Sequence, residues 1–240
     1  MRLVFDKTGE RFYETGNDRG VLYKQIANGT YPLGVAWNGL ISVTERPGGA
    51  ESNDLFADNI KYASMRSAET FDATIEAYTY PDEFAECDGT AEVAEGVFVG
   101  QQNRTPFGFC YRSMIGNDAA TGDNEGYKLH LIYNATASPS EKGYSTVNDS
   151  PEAITFSWEI ETTPINVSGY KPTAILTINS LKCDRTVLDQ LENILYGSDS
   201  GGEEGNGSDP RLPLPDEIIA MFTAAATTDV TEEPTEEPTE

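Results

Sequence analysis

A chain of 240 residues, 38% apolar and 10% aromatic, is long enough for one domain plus a tail or for two small domains, and can bury a core without disulfide or metal staples. Its 40 acidic against 16 basic side chains give a net charge of −24 and leave no Lys/Arg cluster, which argues against a nucleic-acid grip and against adhesion to an anionic membrane. No apolar run reaches the roughly 18 residues of a membrane span, and Met1-Arg2-Leu3-Val4-Phe5-Asp6 lacks the apolar stretch of a signal peptide, so a protein made and folded in the cytosol is expected.

In chain order, Phe5 to Gly20 reads as a polar, glycine-bearing loop. Val35-Ala36-Trp37 through Val43-Thr44 follows as a strand, with Val35, Trp37, Ile41 and Val43 on one face. Arg46-Pro47-Gly48-Gly49 punctuates it, and Glu45 to Ala63 reads as a second long loop. That loop carries Leu55, Phe56, Ile60 and Tyr62, a poor composition for free solvent. It either folds back on its own domain or docks on another subunit. Further strands are expected at Thr70–Tyr80, Val97–Gly100, Phe107–Ile115, Tyr127–Ala135 and Thr173–Ser180. Ile154–Thr162 is the clearest: Ile154, Phe156, Trp158 and Ile160 point one way, and Thr155, Ser157, Glu159 and Glu161 the other. Many short strands with turn signals between them indicate a mainly β, antiparallel sandwich or barrel.

One flanking α-helix is legible. Val187, Leu188, Leu191, Ile194 and Leu195 form one stripe, with Asp184 or Thr186 as cap and Gly197 at the end. The expected domain therefore runs over 1–197, and 198–240 is an acidic, flexible extension. From Gly197 onward there are 12 acidic residues against Arg211, leaving −13 on residues 1–196. Within the extension an apolar island at 212–222 is a candidate docking helix led by Pro215-Asp216-Glu217. Thr231 to Glu240 repeats Glu-Glu-Pro-Thr and is expected to be disordered.

Catalytic arrangements are sparse. His130 is the only histidine, set between Leu129 and Leu131 and so on the face opposite them, a surface or interface residue by default. A Ser-His-Asp triad has no other base to use, and no Gly-x-Ser-x-Gly, Walker loop or dinucleotide fingerprint occurs. Cys87, Cys110 and Cys183 match no zinc or redox spacing and read as reduced, mostly buried thiols. Asp82-Glu83 with Glu86 and Asp88 is the densest carboxylate cluster and reads as a solvated turn. The expectation is a non-enzyme with no cofactor and no metal. A carbohydrate- or receptor-binding β-sandwich, or a virion decoration protein, is the alternative to a self-assembling subunit.

Several segments together resemble the major tail proteins that build the tail tube of long-tailed, non-contractile bacteriophages (siphophages). They are Gly34-Val35-Ala36-Trp37-Asn38-Gly39-Leu40-Ile41-Ser42-Val43-Thr44-Glu45, Phe71 to Phe84, Gln101 to Phe109, Tyr127 to Asn134, and Ser157-Trp158-Glu159 into the strand–helix unit Ala174 to Gly197. The resemblance spans about residues 1–197 and contains no short diagnostic motif. It implies a β-sandwich with a flanking helix and hexameric rings stacked into a hollow tube in the virion tail. Tape-measure, tail-terminator and distal tail proteins are the implied partners, and DNA passes through during ejection without specific binding. In that family a long loop between early strands bridges rings; here it is Glu45 to Ala63, with Leu55, Phe56, Ile60 and Tyr62 as the stacking contacts.

Overall fold

A computed structural model describes residues 2–119, 125–146, 149, 152–199 and 207–228. The acidic repeat at 231–240 and residues 200–206 of the polar stretch lie outside them. The strands are β1 (Phe12–Lys24), β2 (Gly34–Trp37), β3 (Leu40–Gly49), β4 (Ser52–Ala57), β5 (Ile60–Arg66), β6 (Glu69–Ala77), β7 (Ala91–Ala94), β8 (Val97–Val99), β9 (Phe107–Asn117), β10 (Gly126–Ala137), β11 (Phe156–Thr162) and β12 (Ile175–Asn179). The helices are α1 (Arg185–Tyr196) and α2 (Pro215–Thr228).

The main sheet is antiparallel in the order β2-β1-β9-β10-β11-β6-β3, with β12 as a further partner of β10. β10 makes this possible by changing partner along its length. On one side it pairs Lys128–Ile132 with β12, then Ala135–Ala137 with β11. Between them the register slips and Asn134 takes a left-handed conformation with φ 49°. Such a bulge bends the strand and lets it serve two sheet directions. Thr163 N donates to Asn134 O at 3.1 Å and Asn134 Nδ2 to Thr163 O at 3.1 Å, which pins the bend.

β2 and β3 follow one another through Asn38-Gly39 yet end the strand order on opposite sides. The sheet therefore curls until β3 approaches β1, where Leu40 lies over Gly20. No ladder joins β3 to β1 or β2 among the described residues, so the expected sandwich or barrel is a curled, unclosed sheet.

Both faces of the middle strands are buried. Leu22, Phe109, Tyr111 and Ile132 face the inside of the curl with Trp37, Ile75, Phe84, Trp158 and Ile160. Their alternates Val21, Tyr23, Cys110, Leu129, Leu131 and Tyr133 face out under the helices. Inside the curl, the rings of Trp37, Phe84 and Trp158 meet edge-on or tilted at centroid separations of 4.6–5.5 Å. These geometries suit the aromatic quadrupole. Phe84 reaches them from a single 3-10 turn over Asp82–Ala85.

α1 begins where its cap places it: Asp184 accepts from Val187 N at 3.0 Å, and Gly197 ends it at φ 80°. Its apolar stripe is buried on β1, β9, β10 and β12. A second helix joins it. After the polar stretch the chain returns, Leu212 N donating to Tyr31 O at 3.1 Å and Arg211 N to Ile194 O at 2.8 Å. Leu212 and Ile218 are buried beside α1's leucines. Gly108 makes this possible: a Cβ there would sit 2.3 Å from Leu212. The compositional boundary at Gly197 is therefore not a packing boundary, since residues 210–222 contribute to the second core cluster.

Three readings of the sequence are corrected. Phe5–Gly20 is not a loop throughout, because β1 starts at Phe12; its outer half is exposed and twice irregular, with Gly16 at φ 62° and Arg19 at φ 51°. Val35–Thr44 is two strands. Arg46-Pro47-Gly48-Gly49 is part of β3, paired with Asp72 to Glu69. Proline is tolerated there because β3 is an edge strand with no ladder on its outer side.

Candidate assembly surfaces

Glu45–Ala63, expected as a loop, is a β-hairpin arm. β3 and β6 run on through Ala50 and Ala68 into β4 and β5, with Ser67 N donating to Glu51 O at 3.0 Å. The tip is Asp58-Asn59 with φ of 51° and 64°. Positive φ at both central residues gives the two-residue turn whose twist matches a hairpin. From Glu45 to Asp58 the arm follows about 40 Å of chain, at roughly 3.3 Å per residue.

The register gives the arm two unlike faces. Ser52, Asp54, Ser64 and Lys61 share one with Phe56, the partner of Lys61, and are tied by the Lys61–Asp54 ion pair at 2.7 Å and the Ser64 to Asp54 hydrogen bond at 2.8 Å. Leu55, Ala63, Met65, Ala57 and Ile60 share the other, and Tyr62 sits at the register slip between them. A hairpin with one apolar face ordinarily buries it. Here the four residues expected as stacking contacts stand open: Leu55 is 41% exposed, Phe56 71%, Ile60 64% and Tyr62 75%. In this structure the segment does not fold back on its own domain.

A polar cluster stands at the arm's root. Glu45 of β3 accepts from Tyr111 Oη at 2.6 Å, and its Oε1 lies 3.2 Å from His130 Nδ1. The ring nitrogen is not aligned there for a hydrogen bond. His130 stacks on Tyr111, with ring centroids 4.6 Å apart, and its Nε2 is 3.0 Å from Ser113 Oγ. The expected surface histidine does face opposite Leu129 and Leu131, but it is enclosed by this cluster. The imidazole of His130, ahead of the Tyr111 hydroxyl, holds the Glu45 carboxyl below the usual carboxylate range. Burial and the neighbouring Glu45 push the Tyr111 phenol up.

Ser113, His130 and Glu45 thus stand in line with charge-relay distances. Ser113 Oγ also donates toward Glu14 Oε2 at 3.3 Å, which brings β1 into the cluster. β9 is an interior strand, and its amides serve the β1 and β10 ladders. The arrangement works as a clasp. Together with the Glu14–Lys128 pair it ties β1, β3, β9 and β10 across the seam that no ladder closes.

A second exposed hairpin, β7–β8, was legible only at Val97–Val99. It shows Val93, Val97, Phe98 and Val99 to solvent. Its base is firm. The side chain of Asp88, from the expected carboxylate cluster, is enclosed between Arg104 at 3.4 Å and Lys142. Glu86 pairs with Lys24 at 3.2 Å, while Asp82 and Glu83 are exposed. Among the described residues no group of three His, Cys, Asp or Glu side chains is placed to hold a metal ion. Cys87 and Cys110 are buried and free, and burial pushes both thiols up to about 12; Cys183 is half-buried.

The outward face of β3, β6 and β11 is different again. Asp72, Glu76, Glu159 and Glu161 alternate there with Thr44, Thr74 and Ser157, and Arg46 reaches Glu159 at 3.1 Å. It carries no large apolar side chain.

No family model matches the chain, and no curated protein does. Among solved structures, a chain of an extracellular contractile injection system, the PVC sheath–tube complex in its extended state, is similar to it. The similarity covers 67% of this chain and 88% of that one, at 10% identity and a TM-score of 0.34.

Proposed function

We propose that this chain is a structural, non-catalytic subunit that assembles with copies of itself into stacked rings, forming a tail tube of the siphophage type through which DNA leaves the virion. The observation that carries the reading is the β4–β5 arm: a hairpin with an apolar face, held away from its own core, is built to be covered by something else. The family resemblance of residues 1–197 makes a neighbouring copy that partner, with tape-measure, tail-terminator and distal tail proteins at the bore and the ends of the tube.

The acidic face of β3, β6 and β11 suits the bore. Duplex DNA carries one negative charge per about 1.7 Å of axis, and a basic wall would bind it at every ring. A wall of Asp72, Glu76, Glu159 and Glu161 repels the duplex and lets it slide. Negative-stain imaging and sedimentation of the purified chain test the proposal. Rings or tubes are the expected product; a chain that stays monomeric at high concentration overturns it.

A further inference from the structure

We propose that the tip of the β4–β5 arm of one copy docks in the cleft between β1, β9 and β12 of another, an inference that rests on the self-assembly reading and names its receiving surface. The cleft holds about 490 Å³ and is lined by Phe12, Tyr13, Ile115 and Leu181, with Asn179, the Glu14–Lys128 pair and Lys182 beside them. Phe12 and Tyr13 are each 55% exposed and Leu181 44%, so large apolar surface is left uncovered at one place on the body. Glycines set the walls: a Cβ on Gly116 would meet the Tyr13 ring at 2.5 Å, and one on Gly126 would meet Leu181 at 2.7 Å. Both side chains thus pack closely on glycine backbone.

Charge selects the occupant. The chain carries −24, so copies meet against repulsion and need local pairs of opposite sign. Among the described residues only Arg2, Arg66, Lys171 and Lys182 form no ion pair, the remaining cations being committed within the chain. Lys182 is the uncommitted cation on this cleft. The arm offers its complement: Asp58 at the turn forms no ion pair, and Phe56 and Ile60 flank it. A tip carrying the Asp58 carboxylate meets an apolar cleft whose uncommitted charge is Lys182. Lys171 borders a smaller cleft of about 290 Å³ beside Tyr170, which is the competing receiver.

The test is a cross-link in assembled material, in a Cys183→Ser background because Cys183 lies two residues from Leu181. Ile60→Cys with Leu181→Cys is expected to give inter-subunit disulfide ladders on oxidation, whereas either substitution alone is not. Asp58→Lys or Lys182→Asp alone is expected to raise the critical concentration about three- to tenfold, and the double reversal to restore it. Normal tubes with no ladder, or a ladder formed by Ile60→Cys with Tyr170→Cys instead, overturn the docking site and leave the tube reading standing. A wild-type chain that never assembles overturns both.

Discussion

Replacing Phe56, Ile60 and Tyr62 together by serine separates assembly from folding. All three side chains are at least 64% exposed, so their loss takes almost nothing from the subunit's own packing. Surface changes of that kind stay within about 0.5 kcal/mol each. In a tube the same side chains become covered. Burying one large apolar side chain contributes about 1.5–3 kcal/mol, and allowing for partial cover the triple variant loses about 3–6 kcal/mol per docked arm. At about 1.4 kcal/mol per tenfold, the critical concentration rises between a hundredfold and ten-thousandfold. Sedimentation velocity across a concentration series measures that rise, and circular dichroism follows the melting of the monomer. Unchanged assembly would refute the arm's role. A monomer Tm lowered by more than about 6 °C would also refute it, because it would show the arm packed on its own body.

Three further outcomes follow from the same architecture. Leu212→Ala, at a buried position over Gly108, is expected to cost about 2–4 kcal/mol in urea unfolding; a loss under 1 kcal/mol would show that the returning segment adds little to the core. Glu45 is held below its ordinary value, so its contribution is present above that value and lost as pH falls through the folded one. The Tm gap between wild type and Glu45→Gln is therefore expected to narrow below about pH 4.3, and a gap equal at pH 6 and pH 3 would dismiss the clasp. Raising ionic strength from 0.01 to 0.15 M shortens the screening length from about 30 to about 8 Å. Tubes of so acidic a chain should then form at lower protein concentration, and the opposite trend would show that attraction between charges dominates assembly.

How far the fold was legible depended on whether burial was one-sided. β11 announced itself because Trp158 and Ile160 go in while Glu159 and Glu161 stay out. α1 did so through its stripe and the Asp184 cap. β1 was hidden for the opposite reason: its outer half is exposed and bulged, so Glu14, Asn17, Asp18 and Arg19 read as loop although β9 pairs with them. Pro47-Gly48-Gly49 carries the chemistry of a turn, yet an edge strand requires no donor on its free side. The two-residue turn at Asp58-Asn59 was present in the sequence but masked by the apolar residues around it. The candidate surface was legible residue by residue in Leu55, Phe56, Ile60 and Tyr62, because apolar side chains in a segment without a helix stripe are conspicuous. The cleft was not, since Phe12, Ile115 and Leu181 come from three distant parts of the chain.

The division of aromatic residues separates a closed core from an open arm. Trp37, Phe84, Phe107 and Trp158 pack into one closed cluster, which fixes the curl without help from any neighbour. Phe56 and Tyr62 are spent outside it, on a two-stranded arm whose own ladder satisfies its inner backbone groups. The arm continues from β3 and β6, with Glu45 and its partners at the joint. Changes at the tip and in the aromatic cluster are therefore expected to add independently, as distant sites do. Changes at Glu45, Tyr111 or His130 are expected to couple the two, because there alone the same side chains hold the seam of the body and the root of the arm.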